Sequence, residues 1–134
     1  MKKISAALTA LLLGAGPGVA AHAAEAPAAA PRHAVTTLVL AVHPDGEPAR
    51  HATLRCDPAP AGSHPDAPAA CERLTAADGR PDALRADPRT VCTFEFRPVR
   101  LVATGTWAGR TVRYDREFAN PCQAAAATGP LFAF

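Results

Sequence analysis

The sequence has few aromatic side chains, almost no lysine and no long hydrophobic run. Aromatic residues make up 5% of its 134 residues, so a core has to be built mainly from aliphatic side chains. The only lysines are Lys2 and Lys3, and fourteen Lys and Arg face twelve Asp and Glu. Such a balanced charge argues against a nucleic-acid-binding protein held by a basic patch. We expect no membrane-spanning segment either, because the apolar runs are too short to cross a bilayer.

The first residues are typical of a secretory signal peptide. A positively charged start precedes a short apolar run at Ala6–Leu13, and Ala21-His22-Ala23 is a small-x-small cleavage motif. We predict a signal peptide over 1–23, a flexible Ala/Pro-rich arm over 24–34 and one domain over 35–134. This pattern predicts a secreted, extracellular protein.

Secretion would expose the cysteines to an oxidising compartment, which favours disulfides. The chain has four cysteines, namely Cys56, Cys71, Cys92 and Cys122. Four cysteines allow three pairings, and the residues alone do not choose among them. A zinc site is not predicted, because neither Cys-x-x-Cys nor His-x-x-x-His occurs. We therefore expect two disulfides, no metal and no cofactor.

The hydrophobic pattern predicts an α+β domain. Alternation of apolar and polar residues indicates several strands, and the apolar chain end is expected to add one more. The predicted strands are 36–43, 51–56, 99–104, 111–118 and 131–134. A helix is predicted from Asp66, as its N-cap, to about Ala77, and Pro81–Ala86 can form one further helical turn. The expected fold is an antiparallel sheet of about five strands with one or two short helices packed on it.

Residues for hydrolytic catalysis are scarce. Ser63 is the only serine after the predicted signal peptide. Its neighbours Gly62 and His64 do not complete a nucleophile elbow, which needs Gly-x-Ser-x-Gly between a strand and a helix. The acidic residues are dispersed, and the cysteines are expected to be in disulfides. We therefore predict that the chain is not an enzyme, and we interpret Ser63 and His64 as turn residues.

The segment 91–98 reads Val-Cys-Thr-Phe-Glu-Phe-Arg-Pro and holds two of the few aromatic residues. From the residues alone, the favoured interpretation is a strand with Cys92, Phe94 and Phe96 turned inward. Aromatic side chains usually belong to the core, which is why this interpretation comes first.

Several motifs, taken in order, resemble the Streptomyces subtilisin inhibitor family of secreted serine-protease inhibitors. The cysteine intervals of 15, 21 and 30 residues agree with those of the family, and the resemblance covers nearly all of the predicted mature chain. It implies the disulfides Cys56–Cys71 and Cys92–Cys122, and a homodimer built sheet against sheet. The matching features are Thr-Leu-Arg-Cys56, Gly62-Ser63-His64-Pro65, Ala70-Cys71, Leu74, Cys92, Pro98-Val99, Trp107-Ala108-Gly109, Tyr114, Phe118, Asn120, Cys122 and Phe132-Ala133-Phe134.

The resemblance also implies a reactive bond two residues beyond the third cysteine. This bond falls between Phe94 and Glu95, with Phe94 as the primary specificity residue. Two departures from the family's usual pattern concern the neighbours of this bond. Thr93 stands where a proline is common, and Phe96-Arg97-Pro98 stands where Tyr-Asp-Pro is common. The residues expected to contact the protease are Val91, Cys92, Thr93, Phe96 and Arg97.

A loop of this kind inhibits only if it is held rigid. The disulfide of Cys92 would pin it before the reactive bond, and Pro98 would stiffen it afterwards. Asn120 either braces the carbonyl groups of the loop or is a turn residue before Pro121, and the sequence leaves both roles open. The expected function is inhibition of subtilisin-like and chymotrypsin-like serine proteases. The alternative is a secreted, disulfide-stabilised binding module with a different protein ligand.

Overall fold

The computed structural model describes residues 35–134, so the predicted signal peptide and arm lie outside the described residues. Its strands form one antiparallel sheet in the order β2-β1-β3-β4. Two short 3₁₀ helices, Pro81–Ala83 and Gly129–Phe132, complete the secondary structure. The α+β fold is confirmed, with four strands rather than about five. The main elements are β1 Thr37–Pro44, β2 Arg50–Arg55, α1 Ala67–Thr75, β3 Val99–Trp107, β4 Arg110–Phe118 and α2 Pro121–Thr128.

The alternation in the sequence determines which face of the sheet is buried, because successive side chains of a strand point to opposite faces. In β1, Leu38 and Leu40 are fully buried, whereas Val39 between them is 47% exposed. Aliphatic side chains dominate the core, as the scarcity of aromatic residues predicts. The largest fully buried hydrophobic side chains are Leu38, Leu40, Leu54, Leu74, Leu101 and Leu131.

The predicted cap of the first helix is confirmed. The Asp66 side chain accepts a hydrogen bond of 3.1 Å from the backbone N–H of Ala69. The helix ends at Thr75, two residues before the predicted end. Its buried residues recur at helical spacing and form one face against the core. They are Ala67, Ala70, Cys71 and Leu74.

The prediction of a fifth strand over 131–134 is wrong. Residues Gly129–Phe132 form a 3₁₀ helix, in which Leu131 is fully buried and Phe132 is 8% exposed. A short apolar run does not distinguish a strand from a buried helical turn. Gly129 has a φ of +60°, a left-handed conformation that favours glycine. The chain therefore turns back after α2 and places its apolar end in the core.

The second helix, α2, was missed by the sequence-based predictions. A helical turn was expected over Pro81–Ala86 instead, and only Pro81–Ala83 is helical there. A signal for α2 was present, since Asn120 is a favourable N-cap, Pro121 suits the first helical position and alanines follow.

In the described part of the chain, no helix is long and apolar enough to cross a bilayer.

The disulfide pairing implied by the family resemblance is confirmed. Cys56 is bonded to Cys71, with 5.5 Å between their Cα atoms, and Cys92 is bonded to Cys122, with 5.7 Å. The first bridge joins the segment after β2 to α1. The second joins the segment before β3 to α2. No cysteine in residues 35–134 is free.

Candidate functional site

Residues 84–98, called here the exposed loop, connect the first 3₁₀ helix to β3 without forming a strand or a helix. The side chains of Val91, Phe94 and Phe96 are 92%, 101% and 78% exposed. The interpretation of 91–98 as a core strand is therefore wrong. An apolar surface of this kind, placed on a protruding segment, is typical of an interaction site.

The exposed loop is anchored to one short segment, residues 119–126, called here the platform. The platform consists of the start of α2 and the two residues before it. Upstream of Phe94, the backbone N–H of Asp87 donates to the carbonyl oxygen of Ala126 at 3.0 Å, and the disulfide joins Cys92 to Cys122. Downstream of Phe94, the N–H of Arg97 donates to Ala119 at 2.9 Å. The platform thus holds the loop on both sides of Phe94.

Asn120 supplies the central contact between the platform and the loop. Its side-chain nitrogen donates to the carbonyl oxygens of Thr93 at 3.1 Å and Glu95 at 2.9 Å. Its side-chain oxygen accepts from the backbone N–H of Gln123 at 2.9 Å and caps α2. The residue is 2% exposed. Asn120 therefore makes contacts of two kinds, hydrogen bonds to the loop backbone and the cap of α2.

Both ends of the exposed loop are also tied to the body of the domain. The carbonyl oxygen of Pro98 accepts from the backbone N–H of Asp45, in the turn between β1 and β2, at 3.0 Å. At the other end, a guanidinium nitrogen of Arg73, on α1, donates to the carbonyl oxygen of Arg85. A loop held at so many points has little conformational entropy left to lose when it binds a partner.

The loop carries two charges next to its aromatic residues, because Glu95 and Arg97 flank Phe96 and both are exposed. The carboxyl and phenol groups whose pKa values are shifted are those of Asp115 and Tyr114, and both lie on the sheet, away from the loop. The Arg100 guanidinium, hydrogen-bonded to Asp115, lowers the pKa of that carboxyl, and burial raises the pKa of Tyr114. Within residues 35–134, no cluster of three or more His, Cys, Asp or Glu could hold a metal ion.

Ser63 and His64 make structural contacts rather than a nucleophile pair. The Ser63 hydroxyl accepts from the backbone N–H of Thr53 at 2.9 Å. The buried His64 accepts at Nδ1 from the N–H of Asp66 at 3.1 Å, and its Nε2 lies 3.2 Å from the carbonyl oxygen of Leu131. A neutral imidazole with its hydrogen on Nε2 satisfies both contacts. The two residues therefore link β2, α1 and the chain end.

A second exposed surface is the outer face of the sheet, opposite the helices. Its centre is Val39, which the register of β1 places between Thr53 of β2 and Thr104 of β3. In the next row along the strands, the half-buried Val102 lies beside Ala41, whose small side chain is buried. Around this apolar centre lie charged residues of both signs, namely Arg55, Arg100, Arg113, Asp115 and Glu117.

Comparison with known proteins agrees with the fold. The sequence model of a family described as subtilisin inhibitor-like matches residues 34–120. Subtilisin inhibitor-like protein 5 of Streptomyces fradiae is 44% identical over 108 residues, which are 76% of this chain and 100% of the relative. Protease inhibitor SIL-V2 of Streptomyces orinoci is 49% identical over 86 residues, 63% of this chain and 79% of the relative.

A solved structure is similar as well. It is the crystal structure of Streptomyces caespitosus sermetstatin in complex with Bacillus licheniformis subtilisin. The TM-score is 0.63 at 36% identity, and the match covers 75% of this chain and 99% of the other. The chain therefore belongs to the subtilisin inhibitor-like family, a family of protease inhibitors and not of enzymes.

Proposed function

We propose that this protein is a secreted inhibitor of serine endopeptidases, and that it offers the bond Phe94–Glu95 to the protease in the manner of a substrate. The observation that carries this proposal is the position of Phe94. Its side chain is completely exposed, while the carbonyl groups of the residues before and after it are held by Asn120. The complex of the related sermetstatin with subtilisin supports a serine protease as the partner.

Binding follows from the way proteases recognise substrates. They bind an extended peptide through main-chain hydrogen bonds and select it through side-chain pockets. Phe94 would enter the primary pocket, and burying a phenylalanine side chain contributes about 1.5 to 3 kcal/mol. Since the loop is already ordered, little of this free energy is offset by lost flexibility.

Slow cleavage follows from the anchors on both sides of the bond. The protease serine would attack the carbonyl carbon of Phe94, and the amine of Glu95 would be the leaving group. The disulfide of Cys92 holds the acyl side, while the bonds from Asn120 to Glu95 and from Arg97 to Ala119 hold the leaving side. The amine stays near the acyl group, so the peptide bond reforms in competition with hydrolysis.

The chemistry of Phe94 defines the target class. A large uncharged side chain suits the apolar primary pockets of subtilisin-like and chymotrypsin-like proteases. A pocket with a buried carboxylate, as in trypsin-like enzymes, requires a cation instead. Val91, Thr93, Phe96 and Arg97 would make the neighbouring contacts, with Pro98 stiffening the far end.

We extend the proposal to the oligomeric state. The outer face of the sheet offers the exposed Val39 and the half-buried Val102 as an apolar centre with charges of both signs around it, a pattern suited to a homodimer built sheet against sheet. We expect Val39→Asp to produce a monomer in sedimentation velocity. Val35→Asp is the matched control, because Val35 is also exposed, at 63%, but lies before β1. A wild-type monomer at high micromolar concentration would contradict this part of the proposal.

The test of inhibition is a titration of subtilisin with the purified protein. We expect stoichiometric loss of protease activity, and about a hundredfold weaker inhibition by Phe94→Gly, since a buried aromatic anchor contributes several kcal/mol. Val35→Gly is the matched control, because it removes an exposed apolar side chain that lies before β1 and outside the loop, and we expect unchanged inhibition. Tight binding of another protein without protease inhibition would instead favour a binding module.

Amino-terminal sequencing of the exported protein tests the cleavage site after Ala23.

A further inference from the structure

A cleft of about 300 Å³ lies between α2 and the sheet. The helix leaves this space because it turns short side chains toward the sheet, where longer aliphatic ones would fill the gap. The volume is at the lower end of the range of small-molecule sites. The walls are mainly apolar and include Val42, Val99, Leu101, Ala124 and Phe132.

The mouth of the cleft is positively charged. Three charged residues line it, namely Glu47 and Arg50 at the turn from β1 to β2, and Arg97 of the exposed loop. The salt bridges within residues 35–134 are Arg100–Asp115 and Arg110–Asp78, so neither Arg50 nor Arg97 takes part in one. Two guanidinium groups and one carboxylate leave one positive charge that an anion would neutralise. Arginine is well suited to this, because it binds carboxylates through paired hydrogen bonds.

We propose that this cleft binds a small aliphatic monocarboxylate. Its hydrocarbon chain would lie against the apolar walls, and its carboxylate would contact Arg50 and Arg97 at the mouth. A neutral ligand would leave the guanidinium groups without a charged partner, and an organic cation would meet two like charges and one opposite one. The inference does not depend on the proposed inhibition of proteases, because the cleft shares only Arg97 and Pro98 with the exposed loop and binding of a carboxylate is measured without a protease.

Octanoate is a suitable probe, and its binding to the full protein can be measured by isothermal titration calorimetry. We expect saturable binding that weakens about tenfold in Arg50→Gln, as the loss of a charge-assisted hydrogen bond implies. Arg80→Gln is the matched control, because Arg80 is an exposed arginine that does not line this cleft, and we expect unchanged affinity. Ala124→Leu should abolish binding by filling the cleft. Octanol, which lacks the carboxylate, should bind at least about tenfold more weakly than octanoate.

Amide chemical shifts of the wild-type protein provide a second measurement in case Ala124→Leu disturbs the fold. Octanoate should shift the amides of Val99, Ala124 and Ala125, which line the cleft, and not those on the outer face of the sheet. The proposal would be overturned by the absence of saturable binding at millimolar octanoate, by equal affinity for octanol, or by shifts confined to another surface.

Discussion

The side-chain nitrogen of Asn120 donates a hydrogen bond of 2.9 Å to the carbonyl oxygen of Glu95. The same nitrogen reaches the carbonyl oxygen of Thr93, and the oxygen of the same amide caps α2. One buried side chain therefore couples the start of a helix to the backbone on both sides of Phe94. We expect the rigidity of the exposed loop to depend on this coupling as well as on the disulfide.

The substitution Asn120→Asp separates these two roles. An aspartate keeps an oxygen that can accept from Gln123, but it loses both donors to the loop. Each hydrogen bond contributes about 0.5 to 1.5 kcal/mol, so we expect cleavage at Phe94–Glu95 by subtilisin to become about tenfold faster or more. Mass spectrometry of a time course measures this rate.

Asp66→Ala is the control for Asn120→Asp, because the Asp66 side chain caps α1 by accepting from Ala69, a bond that does not involve the exposed loop. It should cost about 1 kcal/mol of stability without accelerating cleavage. Equal cleavage rates of the wild type and Asn120→Asp would contradict the bracing role of Asn120.

The substitution Phe94→Lys should redirect inhibition toward trypsin. A lysine at this position supplies the cation that a carboxylate-containing primary pocket requires, whereas phenylalanine does not. We expect trypsin inhibition to appear and subtilisin inhibition to weaken, as measured by titration of both enzymes. If trypsin were already the best target of the unmodified protein, the assignment of Phe94 would be wrong.

The two disulfides should differ in their effect on inhibition. Each disulfide stabilises the fold by about 3 to 4 kcal/mol, because it lowers the conformational entropy of the unfolded chain. Replacing Cys92 and Cys122 by serine also frees the exposed loop, so the protein should become a substrate of subtilisin. Replacing Cys56 and Cys71 should mainly lower the melting temperature. Similar cleavage rates of both double variants, measured well below their melting temperatures, would argue against the pinned-loop mechanism.

Tyr114 predicts a loss of stability at alkaline pH. Burial raises the pKa of its phenol above the usual 10.0, so the folded protein keeps this proton to a higher pH than the unfolded chain does. The stabilising contribution is complete below the pKa of the unfolded phenol and is lost as the pH rises from there through the higher pKa of the folded phenol. Because the chain has one tyrosine, its ultraviolet absorbance titrates Tyr114 alone. We expect a higher midpoint in the folded protein than in urea.

The free energy of unfolding should accordingly fall above about pH 10, and Tyr114→Phe should lack this component. Identical absorbance midpoints in the folded and the urea-unfolded protein would contradict the prediction.

Gly79 lies against Trp107, and this contact predicts a large effect of a single methyl group. Its φ is +72°, and an added Cβ would come within 2.0 Å of the Trp107 ring. Gly46 is the matched control, with a φ of +70° and nothing within 4 Å of an added Cβ. Gly46→Ala should cost about 1 to 2 kcal/mol for the left-handed backbone alone. Gly79→Ala should cost clearly more, as measured by urea unfolding, and equal costs would show that the contact is unimportant.

The sequence by itself determined the four strands of the sheet and the start of the first helix. The alternation in β1 follows from the pleat of a strand, so Leu38 and Leu40 could be assigned to the buried face without any knowledge of the neighbouring strands. Asp66 marked the start of α1 because its cap uses only residues of the same turn. The count from Cys92 to Phe94 placed the proposed reactive bond once the family resemblance was recognised.

The tertiary structure decided what covers each segment. The run 91–98 is apolar enough for a core strand, yet it is exposed because its contacts are made with residues 119–126, which are distant in sequence. The apolar end was predicted as a strand, but Leu131 and Phe132 are buried in a 3₁₀ helix, because the turn at Gly129 brings the chain back to the core. Local patterns specify which side chains avoid water, whereas long-range contacts specify which surface is available to bury them. The hydrogen bonds from Asn120 to Thr93 and Glu95 depend entirely on such long-range contacts.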